Sequence, residues 1–138
     1  MNDENKRKLI NYIKDNFSEV YRPAFEHSFK KHYRRVIRGG RYKPIDFSLV
    51  YYLLLYNLSL DARYNDHKLD NYKSNLSNRE LHVKPDWLLI YRYHYKYIMF
   101  VDTGSHSDLF KWLIEFKLVL LVFYWILILF SAIFSYLE

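Results

Sequence analysis

Residues 118–137, LVLLVFYWILILFSAIFSYL, run for twenty positions without a charge. As a helix rising about 1.5 Å per residue they would reach roughly 30 Å, the thickness of a bilayer core. A helix apolar on every side has no face to offer water, so lipid or the rest of the chain must cover it. The residues between 21 and 112 would make too small a domain to hide it against their own sheet, which favours the spanning reading. Lys111 and Lys117 precede the segment and only Glu138 follows it. The positive-inside rule then places the preceding domain in the cytoplasm, anchored at the inner membrane, with the C-terminus across the bilayer.

The rest of the chain is of another kind. The whole chain of 138 residues carries a formal net charge of +6, and Glu138 is its only charge past Lys117, so residues 1–117 carry +7. A basic body suits a polyanion such as nucleic acid, or an acidic protein. There is no cysteine, which excludes disulfides and thiolate zinc sites. Residues 1–20 lack an apolar stretch of the signal-peptide type, so secretion by that route is not expected.

The periodicity predicts a short amphipathic helix over residues 4–17, an appendage to the domain, with Leu9, Ile10, Tyr12 and Ile13 on one side. Arg22–Phe25 reads as extended, because a residue before proline avoids the helical region. Phe25, Phe29, Tyr33, Val36 and Ile37 recur at helical spacing, and Gly39-Gly40 stops that helix. Seven Lys or Arg and no acid lie between Lys30 and Lys43, a basic stretch or merely a solvated helix face. Pro44 opens a second helix. Residues 57–78 read as a long polar loop. Three strands follow, at 79–83, 87–93 and 96–102, with His94-Tyr95 as the turn between the last two. That turn would set positions summing to 189 opposite each other and pair Trp87 with Asp102. The expected class is α+β, with two helices packed on a small antiparallel sheet and an added C-terminal apolar helix. The expected organisation is an extension over 1–20, a domain over 21–112 and the apolar helix over 113–138.

Histidine exchanges protons near neutral pH, and His67, His82 and His106 stand in motif-like contexts, with Asp86 close to the second. A set of histidines on separate segments also admits a metal, but no short ligand spacing supports one, and neither metal nor cofactor is expected. Under the expected hairpin, His82, Asp86 and His106 would gather at the end of the sheet away from the turn.

The stretches ARYNDHKL, HVKPDWLLIY and TGSHSDLF occur in this order, and at these intervals, in the YafQ branch of the RelE/ParE toxin superfamily. The chain resembles that family from about Arg22 to Phe110. The resemblance implies a toxin of a type II toxin–antitoxin system, with a cognate antitoxin as partner, that enters the ribosome and cuts mRNA as an endoribonuclease. It implies attack of an RNA 2′-hydroxyl on the adjacent phosphorus, leaving a 2′,3′-cyclic phosphate and a 5′-hydroxyl. His67, His82, Asp86 and His106 match the acid–base set, with His106 as acid and Asp86 or His82 as base. Trp87 and Phe110 match aromatic positions that hold bases, and Lys84 and Arg92 are candidate cations for the RNA.

The chain departs from the family twice. Where the family pattern reads Arg-Thr-Gly-Ser-His, this chain has Asp102 before Thr103. Loss of such a cation typically costs on the order of 10²–10³ in rate, and a carboxylate would further repel phosphate. Arg79, Lys84 or Arg92 would have to substitute. Family members also end soon after the third motif, whereas this chain continues into the apolar segment. The tail is then a membrane anchor or the translation of sequence beyond a lost stop. The alternative to a nuclease is a catalytically inactive toxin relative that binds an antitoxin or sits at the membrane.

Overall fold

The structure, a computed structural model, describes residues 1–70 and 77–136. Part of the expected loop, residues 71–76, and the last two residues lie outside the described ones. The chain divides into two units, Met1–Ser105 and His106–Glu138.

In the first unit α1 spans Asp3–Asn16, β1 Arg22–Phe25, α2 His27–Arg38 and α3 Pro44–Leu55. A short 3₁₀ turn, Ala62–Tyr64, leads to β2, His67–Lys68; β3 (Arg79–Lys84), β4 (Trp87–His94) and β5 (Tyr97–Gly104) follow. The α+β expectation holds. The sheet is mixed rather than antiparallel, with order β1-β5-β4-β3-β2, because the extended Arg22–Phe25 joins it parallel to β5.

The helices start and stop where local chemistry dictates. The Asn2 side chain accepts from the Asn5 backbone N–H at 2.8 Å and caps α1. Pro44 opens α3, where its missing N–H costs nothing. α2 ends at Gly39-Gly40, and Gly40 takes φ +72°, a conformation glycine adopts without strain.

The core lies between the helices and one face of the sheet. Phe100 of β5 is its hub, stacked on Phe25 at 5.1 Å and Tyr51 at 5.5 Å between ring centroids. Phe29 and Phe47 complete the cluster, each 5.7 Å from Phe100. Helix α1 belongs to this core, since its Ile10 and Ile13 are buried among core residues. It is tied down by charge as well. Buried Lys6 pairs with the Asp46 carboxylate of α3, which also pairs with Lys84 of β3 at 3.0 Å.

The β4–β5 register departs from the expected one. His94 pairs with Tyr97, so the turn is Tyr95-Lys96, with Tyr95 left-handed at φ 51°. A bulge then leaves Val101 extra, so that Tyr91 faces Phe100 while Ile90 faces Asp102. Trp87 therefore does not face Asp102. The absence of an Asn-Gly pair left the turn's position open in the sequence, and nothing local announces the bulge.

Burial alone would raise the pKa of Asp46, but the hydrogen bonds and charges of Lys6 and Lys84 outweigh it and hold the carboxyl below its ordinary range. Its stabilising contribution is thus fully present above the unfolded carboxyl pKa of about 3.9 and is lost as pH falls through the lower folded value. Asp46→Asn, which removes the carboxylate shared by buried Lys6 and half-exposed Lys84 and leaves Lys6 only Asp3 at 3.5 Å, is expected to cost about 2 kcal/mol in urea unfolding at pH 7. It should also flatten the acid limb of stability below about pH 4. An unchanged urea midpoint would contradict this role for Asp46.

Candidate active site

Strand alternation sorts the residues of β3. Leu81 and Val83 belong to the core cluster, so Glu80 and His82 point to the other face. The register then builds two rows across the sheet. One runs His67, Glu80, Ile90, Asp102 from β2 to β5. The next runs His82, Leu88, Gly104. Rows two residues apart lie about 7 Å from each other, so His67, Glu80 and His82 share one patch of sheet.

His82 Nδ1 lies 3.1 Å from the Pro85 carbonyl oxygen. A carbonyl only accepts, so Nδ1 carries the proton, and in the neutral ring Nε2 holds the lone pair a base needs. His67 Nδ1 likewise donates to the Asn65 carbonyl at 2.7 Å, while its Nε2 lies 3.8 Å from Glu80 Oε1. Glu80 is buried, and its Oε2 has no hydrogen-bond partner among the described residues. Glu80 was not singled out in the sequence. Its spacing of two from His82 on one strand is the signal that finds it.

Asp86 sits in the two-residue turn between β3 and β4, exposed, and accepts from Arg41 Nη1 at 2.8 Å. Arg41 follows the Gly-Gly stop of α2 and lies 5.2 Å from the Tyr42 ring centroid, which itself stacks on Trp87 at 5.0 Å. The loop after α2 thus delivers a cation to Asp86.

Several expected positions are corrected. Trp87 is fully buried, so it presents no ring face to RNA. Its Nε1 donates to Thr103 Oγ1 at 2.7 Å, and the Thr103 hydroxyl donates to the Leu88 carbonyl at 2.7 Å. Its role is structural: it clasps the start of β4 to the end of β5. Arg92 is five residues up β4 from Trp87, roughly 16 Å away, and is paired with Glu26 at 2.6 Å. Arg79 forks onto Asp66, at 2.7 Å from Nη2 to Oδ2 and 3.1 Å from Nε to Oδ1. Both arginines are committed to structural carboxylates, and neither replaces the family's cation. Lys84 keeps its place beside His82 while pairing with Asp46.

Asp102, expected to repel the phosphate, is turned inward. It is buried, with Oδ1 2.6 Å from His32 Nδ1 of α2 and accepting from the Thr103 backbone N–H at 2.9 Å. His32 was unannounced in the sequence, because only the packing of α2 along β5 brings it to Asp102.

The second unit is the helix α4, His106–Tyr136. His106 is its first residue, and its ring stacks on Phe110 one turn later at 5.8 Å. By sequence it follows Gly104, the end of the His82 row, by two residues. Over His106–Phe130 the helix is long and apolar enough to cross a membrane by length and composition.

Asp102→Ala should cost about 2 kcal/mol in urea unfolding, since it strips the Thr103 N–H of its acceptor. Asp102→Arg should cost more, by burying a guanidinium beside His32, and should restore no catalytic cation. An arginine variant as stable as the parent would contradict this placement.

Comparison with known proteins gives a consistent answer. The family described as bacterial toxin of type II toxin–antitoxin system, YafQ, matches residues 21–111. The mRNA interferase toxin YafQ of Escherichia coli (strain B / BL21-DE3) is 46% identical over 59 residues, which is 42% of this chain; the chain spans 62% of that relative's length. The mRNA interferase toxin YafQ of Escherichia coli (strain K12) is 38% identical over 82 residues, covering 56% of this chain and 87% of that one. Among solved structures, the E. coli DinJ-YafQ complex gives a TM-score of 0.57 at 32% identity, over 65% of this chain and 98% of that one. The chain belongs to the YafQ family of bacterial toxins of type II toxin–antitoxin systems.

Proposed function

We propose that this chain cleaves mRNA on the ribosome as an endoribonuclease and is restrained by a cognate antitoxin. The observation that carries the reading is the patch of His67, Glu80 and His82, next to the turn where Asp86 pairs with Arg41; His67, His82 and Asp86 stand in the motifs that resemble the family. The relatives named mRNA interferases and the DinJ-YafQ complex support the substrate and the partner.

The chemistry follows from the groups present. His82 Nε2 takes the proton of the RNA 2′-hydroxyl as that oxygen attacks the adjacent phosphorus. The bond from phosphorus to the 5′-oxygen breaks, and His106 protonates the leaving oxygen. The products are a 2′,3′-cyclic phosphate and a 5′-hydroxyl, with no water consumed. Arg41, brought to Asp86, is the cation on hand for the phosphoryl oxygens. It takes the part of the arginine replaced by Asp102, and turnover is expected on the order of 10² below that of a relative carrying that arginine. Phe110 holds a base beside His106.

The apolar part of α4 is proposed to insert in the inner membrane and hold the toxin unit on the cytoplasmic side. In support, its large side chains from Phe116 to Phe130 are exposed, a surface that calls for lipid. A second reading, an antitoxin-binding relative without catalysis, is favoured by the burial of Asp102 against His32, which leaves that position without a cation.

Induction of the full chain in bacterial cells should arrest growth and produce new 5′-hydroxyl ends within translated mRNA, read by primer extension. His82→Ala should lower cleavage by at least about 10²-fold. The same cells, fractionated, should hold the chain in carbonate-resistant membranes. Growth arrest with no new mRNA ends would overturn the nuclease reading, and a soluble chain would overturn the anchor.

A further inference from the structure

A cavity of about 410 Å³ lies beside the end of β3, with His82 on its wall. That is ample room for a phosphate group with its sugar. Apolar Leu49 and Val83 are among its lining residues. Its polar lining holds three cations, Lys6, Arg63 and Lys84, against one carboxylate, Asp46. Asp46 pairs with both lysines, and Lys6 also lies 3.5 Å from Asp3, a carboxylate outside the lining that Lys43 shares at 2.7 Å, so these five groups together keep one positive charge. Arg63 adds another. It lies over the Tyr64 ring at 5.0 Å, with Nη2 3.4 Å from the Tyr64 hydroxyl, and forms no ion pair among the described residues. The charged lining and its paired neighbours therefore carry a net +2 apart from His82.

The origin of these residues matters. Met1 and Lys6 come from the N-terminal segment, which precedes the residues matching the family. Helix α1 thus closes a wall that the matched region does not supply, and it brings a buried lysine with it. Arg63 comes from the 3₁₀ turn three residues before Asp66, on the segment that delivers His67 to the sheet. A cationic cavity beside a general base suits the backbone of the strand that base acts on, since phosphates are gripped by cations and positioned rather than read.

We propose that this cavity binds the RNA phosphate neighbouring the scissile one, with Arg63 and Lys84 as its direct contacts and Lys6 contributing charge from behind. The inference rests on the nuclease reading, because it assigns the cavity to the same RNA strand. Arg63 is here a substrate-positioning residue.

The test uses the full chain in detergent micelles and a fluorescent ten-nucleotide RNA whose 2′-hydroxyls are methylated to block cleavage. Binding is followed by anisotropy between 50 and 200 mM KCl. Arg63→Gln is exposed and should fold as the parent does; it should weaken binding about five-fold and lower the salt slope by about 0.7, the value for one phosphate contact on a single strand. Lys84→Gln should act in the same direction. Arg7→Gln, exposed on α1 and not among the cavity's lining residues, should leave binding unchanged. If RNA binds and Arg63→Gln matches the parent in affinity and slope, the cavity assignment is overturned while the nuclease reading stands. If the parent chain binds no RNA and releases no cleaved mRNA in cells, both are overturned.

Discussion

The hydrogen bond from the Trp87 indole to Thr103, continued by the Thr103 hydroxyl to the Leu88 carbonyl, holds the candidate site together. It joins the first residues of β4 to the last of β5 inside a fully buried environment, where an unpaired indole N–H would be costly. Trp87 also directly follows Asp86 and stacks on Tyr42, so one ring fixes both the turn that carries Asp86 and the loop that brings Arg41 to it. The motif residue that looks made for stacking on a base is instead an internal anchor for its neighbours.

Charge plays the complementary part on the other side of β3. Asp46 draws Lys6 from α1 and Lys84 from β3 to a single carboxylate, so the segment outside the family match is tied to the strand carrying His82. The arrangement also leaves surplus positive charge next to His82. Asp102 is turned inward to His32 and the backbone, while Arg41 pairs with Asp86 and the cavity lining carries Lys6, Arg63 and Lys84. The replacement of the family's arginine is therefore compatible with packing.

Much of this was legible in the sequence for physical reasons. Helical spacing, the Gly-Gly stop and Pro44 gave α2 and α3, and apolar runs gave β3 to β5. Three motifs in order gave the family. The register was not legible, because Tyr95 adopts a left-handed turn without a glycine and the Val101 bulge has no local signature. The parallel docking of β1 sets Phe25 beside Phe100 on the neighbouring strand, a tertiary choice. The partners of the charged groups were hidden for the same reason. Glu26 with Arg92, Asp66 with Arg79 and His32 with Asp102 are distant in sequence, and only packing reveals that two of the candidate cations are already committed.

The central claim is that this sheet supports attack by an RNA 2′-hydroxyl with His82 as its base. The most direct measurement supplies the full chain with ribosomes programmed with an mRNA carrying a single 2′-deoxy nucleotide at the mapped cleavage position. The account requires cleavage of the all-ribose message to yield a 2′,3′-cyclic phosphate and a 5′-hydroxyl, and cutting at the substituted position to disappear. Cleavage that persists at the deoxy position, or ends bearing a 5′-phosphate, would contradict it.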